Sequence, residues 1–168
     1  TQRHQGQIGL NGRWEDWQVD AMAYLVKYRF QLYSNFTFFA DDPIRGDEIE
    51  QDDDRLLGGF DLRLKKPVSI GKSVFTTSFG VQMRVDGIEN GLYHDERRER
   101  LETKVHSNIV ESSVGAYVQE DARLTPWLRF VLGLRADRVD VAVDDPLEDT
   151  ATTGNKTSGE AGDFLVSP

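Results

Sequence analysis

An acidic run is the part of this sequence best suited to bind an ion. Eight carboxylates lie between positions 41 and 54. Carboxylate oxygens are the ligands that a hard cation such as Ca²⁺ prefers. Their spacing does not match an EF-hand loop, and a run of charge is most often a solvated surface. The sequence therefore offers no firm metal site, only a possible cation contact on an exposed loop, at Asp47, Glu48, Asp52, Asp53 and Asp54.

Catalytic chemistry has almost no support in the sequence. The histidines, His4, His94 and His106, lie in unrelated segments. There is no nucleophile elbow, phosphate-binding loop or His-x-x-x-His metal pair. The absence of cysteine excludes disulfides and thiolate metal sites. A net charge of -9 argues against nucleic-acid binding, which needs a basic face. We expect neither an enzyme nor a bound cofactor.

The elements that would position these residues show a two-residue period. Between Ala21 and Phe39 the even positions, from Met22 through Phe30 to Phe38, form an apolar set. Alternation of this kind predicts a strand with one apolar face. Four further runs alternate in the same way, at 55–65, 74–85, 110–119 and 128–137. The five apolar sets together hold 30 positions and no charge. The opposite phase carries ten charges, at Lys27, Arg29, Asp61, Arg63, Lys65, Arg84, Glu111, Arg129, Arg135 and Asp137.

The connections between these runs alternate in length. Residues 66–73 and 120–126 are predicted to be short turns, whereas 40–54, 86–108 and 139–162 are long and polar. Short turns at one end and long loops at the other are typical of outer-membrane barrels, whose long loops lie outside the cell. By the same alternation, we expect residues 11–18 to form a periplasmic turn after a strand that ends near Leu10. Phe164–Pro168 would begin the next strand.

A soluble β-sandwich is the main alternative, because its strands also alternate. Three features together favour a barrel: one very long strand, the alternating connections, and aromatic residues gathered at one end. Those aromatic residues are Trp14, Trp17, Phe75 and Trp127. No apolar run is long enough for a transmembrane helix. The sequence thus predicts an all-β, antiparallel up-and-down meander that forms part of a transmembrane β-barrel.

Three segments carry a family resemblance. Val114-Gly-Ala-Tyr-Val-Gln-Glu-Asp121 followed by Gly133-Leu-Arg-Ala-Asp137 resembles a barrel hairpin of TonB-dependent receptors. The closing Ser167-Pro168 resembles the opening of that family's next strand, and most of residues 19–168 fits the same pattern. The resemblance implies a barrel of about 22 strands around an N-terminal plug. Residues 1–168 would then be a fragment of that barrel, with the plug absent.

The resemblance also implies a function in the bacterial outer membrane. It points to uptake of a scarce nutrient, such as a ferric siderophore or similar metal chelate, energised through the TonB complex by way of the missing plug. A passive porin-like pore or a small structural barrel is the alternative. The expected partners are the lipid bilayer, the plug, the TonB complex and the nutrient, with no nucleic acid.

Seven cations are predicted to face the lumen of such a barrel. Charges are tolerated there because the interior is wet. They could pair with acids of the lumen or of the plug, or they could attract an anionic cargo. These lumen-facing candidates are Lys27, Arg29, Arg63, Lys65, Arg84, Arg129 and Arg135.

Overall fold

The computed structural model describes residues 1–147 and 158–168. Over these ranges the chain forms one seven-stranded sheet in which every strand pairs antiparallel with the next along the chain. The predicted up-and-down meander is confirmed. None of the described residues forms a helix long and apolar enough to cross a membrane. The strands are β1 Gln2–Trp14, β2 Trp17–Ser34, β3 Glu48–Ile70, β4 Ser73–Glu96, β5 Glu99–Thr125, β6 Leu128–Asp144 and β7 Gly159–Ser167.

The turns at one end of the sheet are short, as predicted. Two residues connect the strands at 15–16, 71–72 and 126–127, so the turns are tighter than the predicted 11–18, 66–73 and 120–126. We call this the short-turn end. The opposite end carries the connections 35–47, 97–98 and 145–158, and we call it the loop end. Residues 148–157 of the predicted 139–162 loop lie outside the described residues.

All three predicted long loops are wrong in extent, since β6 runs to Asp144 and β7 begins at Gly159, both inside the predicted 139–162 loop. The segment 86–108 is the upper half of the β4–β5 hairpin, closed by Arg97 and Arg98, whose φ angles of 56° and 68° are left-handed. Strand β3 likewise begins at Glu48, inside the predicted 40–54 loop. Charged residues can continue a strand because the strands are joined by backbone hydrogen bonds, and charged side chains on neighbouring strands can pair with one another. Conversely, β2 stops at Ser34, so residues 35–39 belong to a loop.

The register divides the sheet into two faces. Residues directly opposite one another in an antiparallel pair share a face. Phe60 lies opposite Met83, which lies opposite Val114, and Leu64, Phe79 and Val118 form a second such row. We call this the apolar face. Arg63, Gly80, Tyr117 and Arg135 form a row on the other side, which we call the polar face.

The predicted phase of β2 is wrong. Phe60 lies opposite Ala23, and Phe30 lies opposite Asp53. The odd positions of β2, such as Leu25, therefore share the apolar face, while the even positions lie on the polar face. Strand β2 is apolar on both sides in its middle, so its sequence does not reveal which side faces which environment. Burial separates the two sides, because Val26 is 6% exposed and Leu25 is 56% exposed.

Large side chains of the apolar face are open to solvent in this sheet. Leu132 is 74% exposed and Met83 is 50% exposed. A continuous exposed apolar face of this extent is unusual for a soluble monomer and marks a surface that contacts another phase or partner. On this face no charged side chain occurs from 56 to 64 on β3 or from 75 to 85 on β4, and these lengths match the about 9–11 residues that a barrel strand needs to cross a bilayer.

Candidate functional site

A hydrogen-bond network crosses the middle of the polar face. The Nε of Arg63 donates to the hydroxyl of Tyr117 at 3.0 Å, which joins β3 to β5. The Nη1 of Arg135 donates to the Oε1 of Gln82 at 2.8 Å, and the Nε2 of Gln82 donates to Asp61 at 2.6 Å. These bonds link four neighbouring strands, β3 to β6, through side chains on the same face. Side-chain hydrogen bonds thus join these strands across the polar face, which would form the inner wall of a barrel.

The arginines of this wall are matched by acids. Residues two apart on a strand share a face, and three arginines bond an aspartate at that spacing on their own strand. These pairs are Arg55–Asp53 at 2.6 Å, Arg84–Asp86 at 2.5 Å and Arg135–Asp137 at 2.6 Å. Arg129 bonds Asp121 across β5 and β6 at 2.5 Å. Partly exposed pairs each contribute about 0.2–1 kcal/mol, so their main effect is to neutralise the face.

The structure separates the seven predicted cations. Five of them lie on the polar face, at Arg63, Lys65, Arg84, Arg129 and Arg135. Lys27 and Arg29 lie instead on the apolar face, beyond Leu25 towards the loop end. Lys27 hydrogen-bonds Asp54 there, and Arg29 lies 4.0 Å from Asp52. Placing these two with the other five was wrong, because the phase of β2 had been inverted.

The five acids proposed for a cation contact each have a partner within the protein. The carboxylate of Asp47 accepts bonds from the backbone N–H groups of Ala40, Asp41 and Asp42. Those donors, above all the N–H of Asp42, lower the pKa of Asp47 to about 2. The remaining four carboxylates bond protein cations or a backbone N–H, in the pairs Glu48–Arg98, Asp52–Arg100, Asp53–Arg55 and Asp54–Lys27.

These acids are divided between the loop 35–47 and strand β3. Asp52, Asp53 and Asp54 belong to strand β3, not to a loop, and therefore alternate between the two faces. In residues 1–147 and 158–168, no three His, Cys, Asp or Glu side chains are placed so that they could hold a metal ion.

A buried charged cluster at the loop end was not predicted. Glu50 is 1% exposed and accepts bonds from Arg100 at 2.6 and 2.9 Å and from Gln31 at 2.5 Å. The bonds from Arg100 are the main reason that the pKa of Glu50 falls to about 2. The guanidinium of Arg100 lies 3.7 Å from the ring centre of Tyr93. Sequence patterning missed this cluster because it lies in segments that were predicted to be loops.

Asp95 completes the cluster and lacks a partner for its charge. Its carboxyl is fully buried, and neither oxygen has a hydrogen-bond partner. It lies opposite Glu48 on β3 and opposite Arg100 on β5. Arg100 directs its guanidinium to Glu50 and Asp52 instead. Burial, and next the negative charge of Glu50, raise the pKa of Asp95.

The comparisons with known proteins agree with this geometry. The family described as TonB dependent receptor-like, beta-barrel matches residues 1–166. Eight solved chains match the fold. One is the ferric citrate transporter FecA in the unliganded form, with a TM-score of 0.76 and 9% identity over 99% of this chain. The chain spans 23% of the length of that structure. No curated protein sequence matches. With nearly its whole length matched by the family, the chain belongs to the β-barrel family of TonB-dependent receptors.

Proposed function

We propose that this chain is part of the barrel wall of a TonB-dependent transporter in a bacterial outer membrane, which takes up a scarce nutrient such as a metal chelate. One observation carries the proposal: a single sheet has an exposed apolar face of membrane height on one side and an ion-paired face on the other. Neither face alone would distinguish a barrel from a soluble sheet. Together they fit a wall between lipid and a wet lumen.

The apolar face is assigned to lipid and the polar face to the lumen. A lysine or arginine on the lipid side of a barrel costs about 2–4 kcal/mol at the midplane. Arg63, Arg84 and Arg135, in the middle of the sheet, lie on the polar face. Cations do occur on the apolar face, but Lys27, Arg29 and Arg138 lie beyond the uncharged stretches of their strands, towards the loop end, and beside acids. By the family pattern, the loop end then faces outside the cell.

Internal pairing is the better account of the lumenal cations. Arg55, Arg84, Arg129 and Arg135 are each bonded to a carboxylate of this chain. An anionic cargo would meet guanidinium groups whose charge is already balanced by those carboxylates, which weakens its attraction to them. The cations are therefore assigned to the structure of the wall, and we infer that cargo is recognised by other residues.

The nature of the cargo is supported only by similarity. The structurally similar FecA is described as a ferric citrate transporter, and at 9% identity this likeness shows the fold and not the ligand. We therefore propose a metal chelate as the first class to test. A passive barrel is the competing function, and it differs in needing no energy supply.

The test is energised uptake by the full-length receptor in intact cells. Radiolabelled iron would be supplied as a panel of chelates to cells with and without TonB, and with and without a protonophore. We expect accumulation of at least one chelate above its external concentration, lost without TonB or the proton gradient. Uptake that only equilibrates with the medium and ignores both would contradict the proposal and favour a passive pore.

A further inference from the structure

A half-open cavity lies at the loop end of the polar face. Its floor is a row of directly opposed residues on three strands, Ile49, His94 and Glu102. The loop 35–47 forms its wall, and the Nε2 of His94 lies 2.7 Å from the carbonyl oxygen of Gly46, which ties that loop to β4. The cavity has a volume of about 460 Å³, which is within the range of small-molecule sites.

The polar lining of this cavity is negative. Its walls carry the carboxylates of Asp41, Asp42, Asp47 and Glu102 but only one ammonium group, that of Lys104. Lys104 donates a hydrogen bond to Glu102 at 3.0 Å, so its positive charge is balanced by that carboxylate. The backbone N–H groups of Arg45 and Ile44 lower the pKa of Asp42. Asp42, like Asp47, therefore stays ionised in the neutral range, and a concave surface of one charge sign concentrates ions of the other sign.

The apolar lining is an exposed aromatic ring beside those acids. Phe36 is 84% exposed at the cavity, and Ile49 lies in its floor. The face of an aromatic ring attracts cations, and this attraction strengthens when the ligand is partly desolvated. An aromatic ring combined with nearby carboxylates in a ligand-sized cavity suits a compound that has both an apolar body and a positive group.

We propose that this cavity is a first-contact site for an organic cation, an amine- or guanidinium-bearing compound with an apolar or aromatic body. The inference rests on the proposed function, because only a receptor in that orientation presents the loop end to the medium. It narrows the cargo from any metal chelate to one that carries a positive group. Asp41 and Phe36 are the residues that bind it, while Asp47 and His94 hold the loop in position.

The experiment uses two small probes of opposite charge, benzyltrimethylammonium and benzenesulfonate. Saturation-transfer NMR would measure their binding to the full-length receptor in lipid nanodiscs. We expect the cation to bind and the anion not to bind, with cation binding weakened by added salt. Asp41→Asn and Phe36→Ala should each lower the affinity for the cation about two- to fivefold, the range of an exposed cation–π or charge contact.

Two matched variants control for general effects. Glu89→Gln removes a carboxylate of the loop end that lies on the apolar face, and Ile44→Ala removes an exposed apolar group of the same loop that does not line the cavity. Both should bind the cation as the wild type does. Equal binding of the two probes, no cation binding, or wild-type affinity in both Asp41→Asn and Phe36→Ala would overturn the site. Binding of the probe needs no energy supply. A failure of TonB-dependent uptake would therefore contradict the proposed transport function without contradicting the binding site.

Discussion

Gly80 of β4 lies beneath the ring of Tyr117 on β5, its direct partner in the register. A Cβ at position 80 would overlap atoms of that ring. Glycine therefore allows the ring to lie flat against the sheet, where its hydroxyl accepts the bond from Arg63. One missing side chain thus permits a contact that ties β3 to β5 across β4.

The first prediction concerns this contact. Gly80→Ala should lower the free energy of unfolding by about 1–3 kcal/mol, because the ring must move and the bond from Arg63 is strained or lost. Urea unfolding of the full-length receptor in detergent measures it. Gly87→Ala on the same strand is the control, since its nearest neighbour would lie at 3.8 Å, an ordinary contact. Equal stability of the two variants would contradict the packing described.

The second prediction tests the two faces with neighbouring residues of β6. Leu132 lies on the apolar face and Val131 on the polar face. Leu132→Arg should cost about 2–4 kcal/mol of stability in a bilayer, whereas Val131→Arg should cost much less because its charge reaches the wet lumen. Reversible unfolding of the receptor in lipid vesicles measures both. A larger loss for Val131→Arg would mean that the faces are assigned the wrong way round.

The third prediction is a pH dependence at the tip of the β4–β5 hairpin. The folded pKa of Asp95 is raised by burial and by Glu50, so its contribution to stability is greatest at low pH. That contribution falls as the pH rises from the unfolded value of 3.8 through the folded one. Glu50 acts oppositely. Its folded pKa of about 2 lies below its unfolded value of 4.5, so its contribution is present above pH 4.5 and lost towards pH 2.

Asp95→Asn removes the loss of stability that accompanies ionisation of Asp95, and it keeps the contribution of ionised Glu50. The groups that face Asp95 are Glu48 and Glu50 from β3 and Arg100 from β5, with His94 beside it. We expect amide exchange at residues 93–101 to be slower in the variant than in the wild type at pH 7, after correction for intrinsic rates. The difference should shrink as the pH approaches 4. Faster exchange in the variant at neutral pH would refute the role given to the buried carboxyl.

The fourth prediction concerns the orientation of the chain. Ile44 is 87% exposed at the loop end, and Lys72 lies in a two-residue turn at the short-turn end. In an otherwise cysteine-free full-length receptor, Ile44→Cys should react with a membrane-impermeant maleimide on intact cells. Lys72→Cys should react only after the outer membrane is opened. Labelling of Lys72→Cys alone on intact cells would invert the topology.

Much of the fold follows from the two-residue period. On β3, β4, β5 and β6 the uncharged phase does share one face, because rows such as Phe60, Met83 and Val114 lie in register. The period fails on β2 because both of its phases are apolar near Tyr24 and Leu25. The face of each β2 residue is decided by which β3 residue lies opposite it. That register cannot be read from the sequence of β2 alone.

The candidate site was less predictable. Loop boundaries were placed where polarity rose, yet Asp52 and Arg100 continue strands because they satisfy one another across the ladder. The same error hid Glu50 and Asp95, whose burial depends on how far β4 and β5 extend. A weak signal was present, since Asp54 and Asp52 pair with Lys27 and Arg29 on β2, and Glu50 and Asp52 pair with Arg100 on β5. Recognising these pairs requires knowing which residues of neighbouring strands lie opposite one another.

The side chains of β2 give the most direct test of the account, since there the register and the sequence period disagree. Spin labels would be placed singly at positions 21 to 26 of the full-length receptor in a lipid bilayer. Their collision rates with oxygen, which partitions into lipid, and with a water-soluble nickel chelate would then be measured. The account predicts that labels at Ala21, Ala23 and Leu25 contact lipid, and that labels at Met22, Tyr24 and Val26 do not. The opposite alternation, or none, would contradict the placement of the two faces.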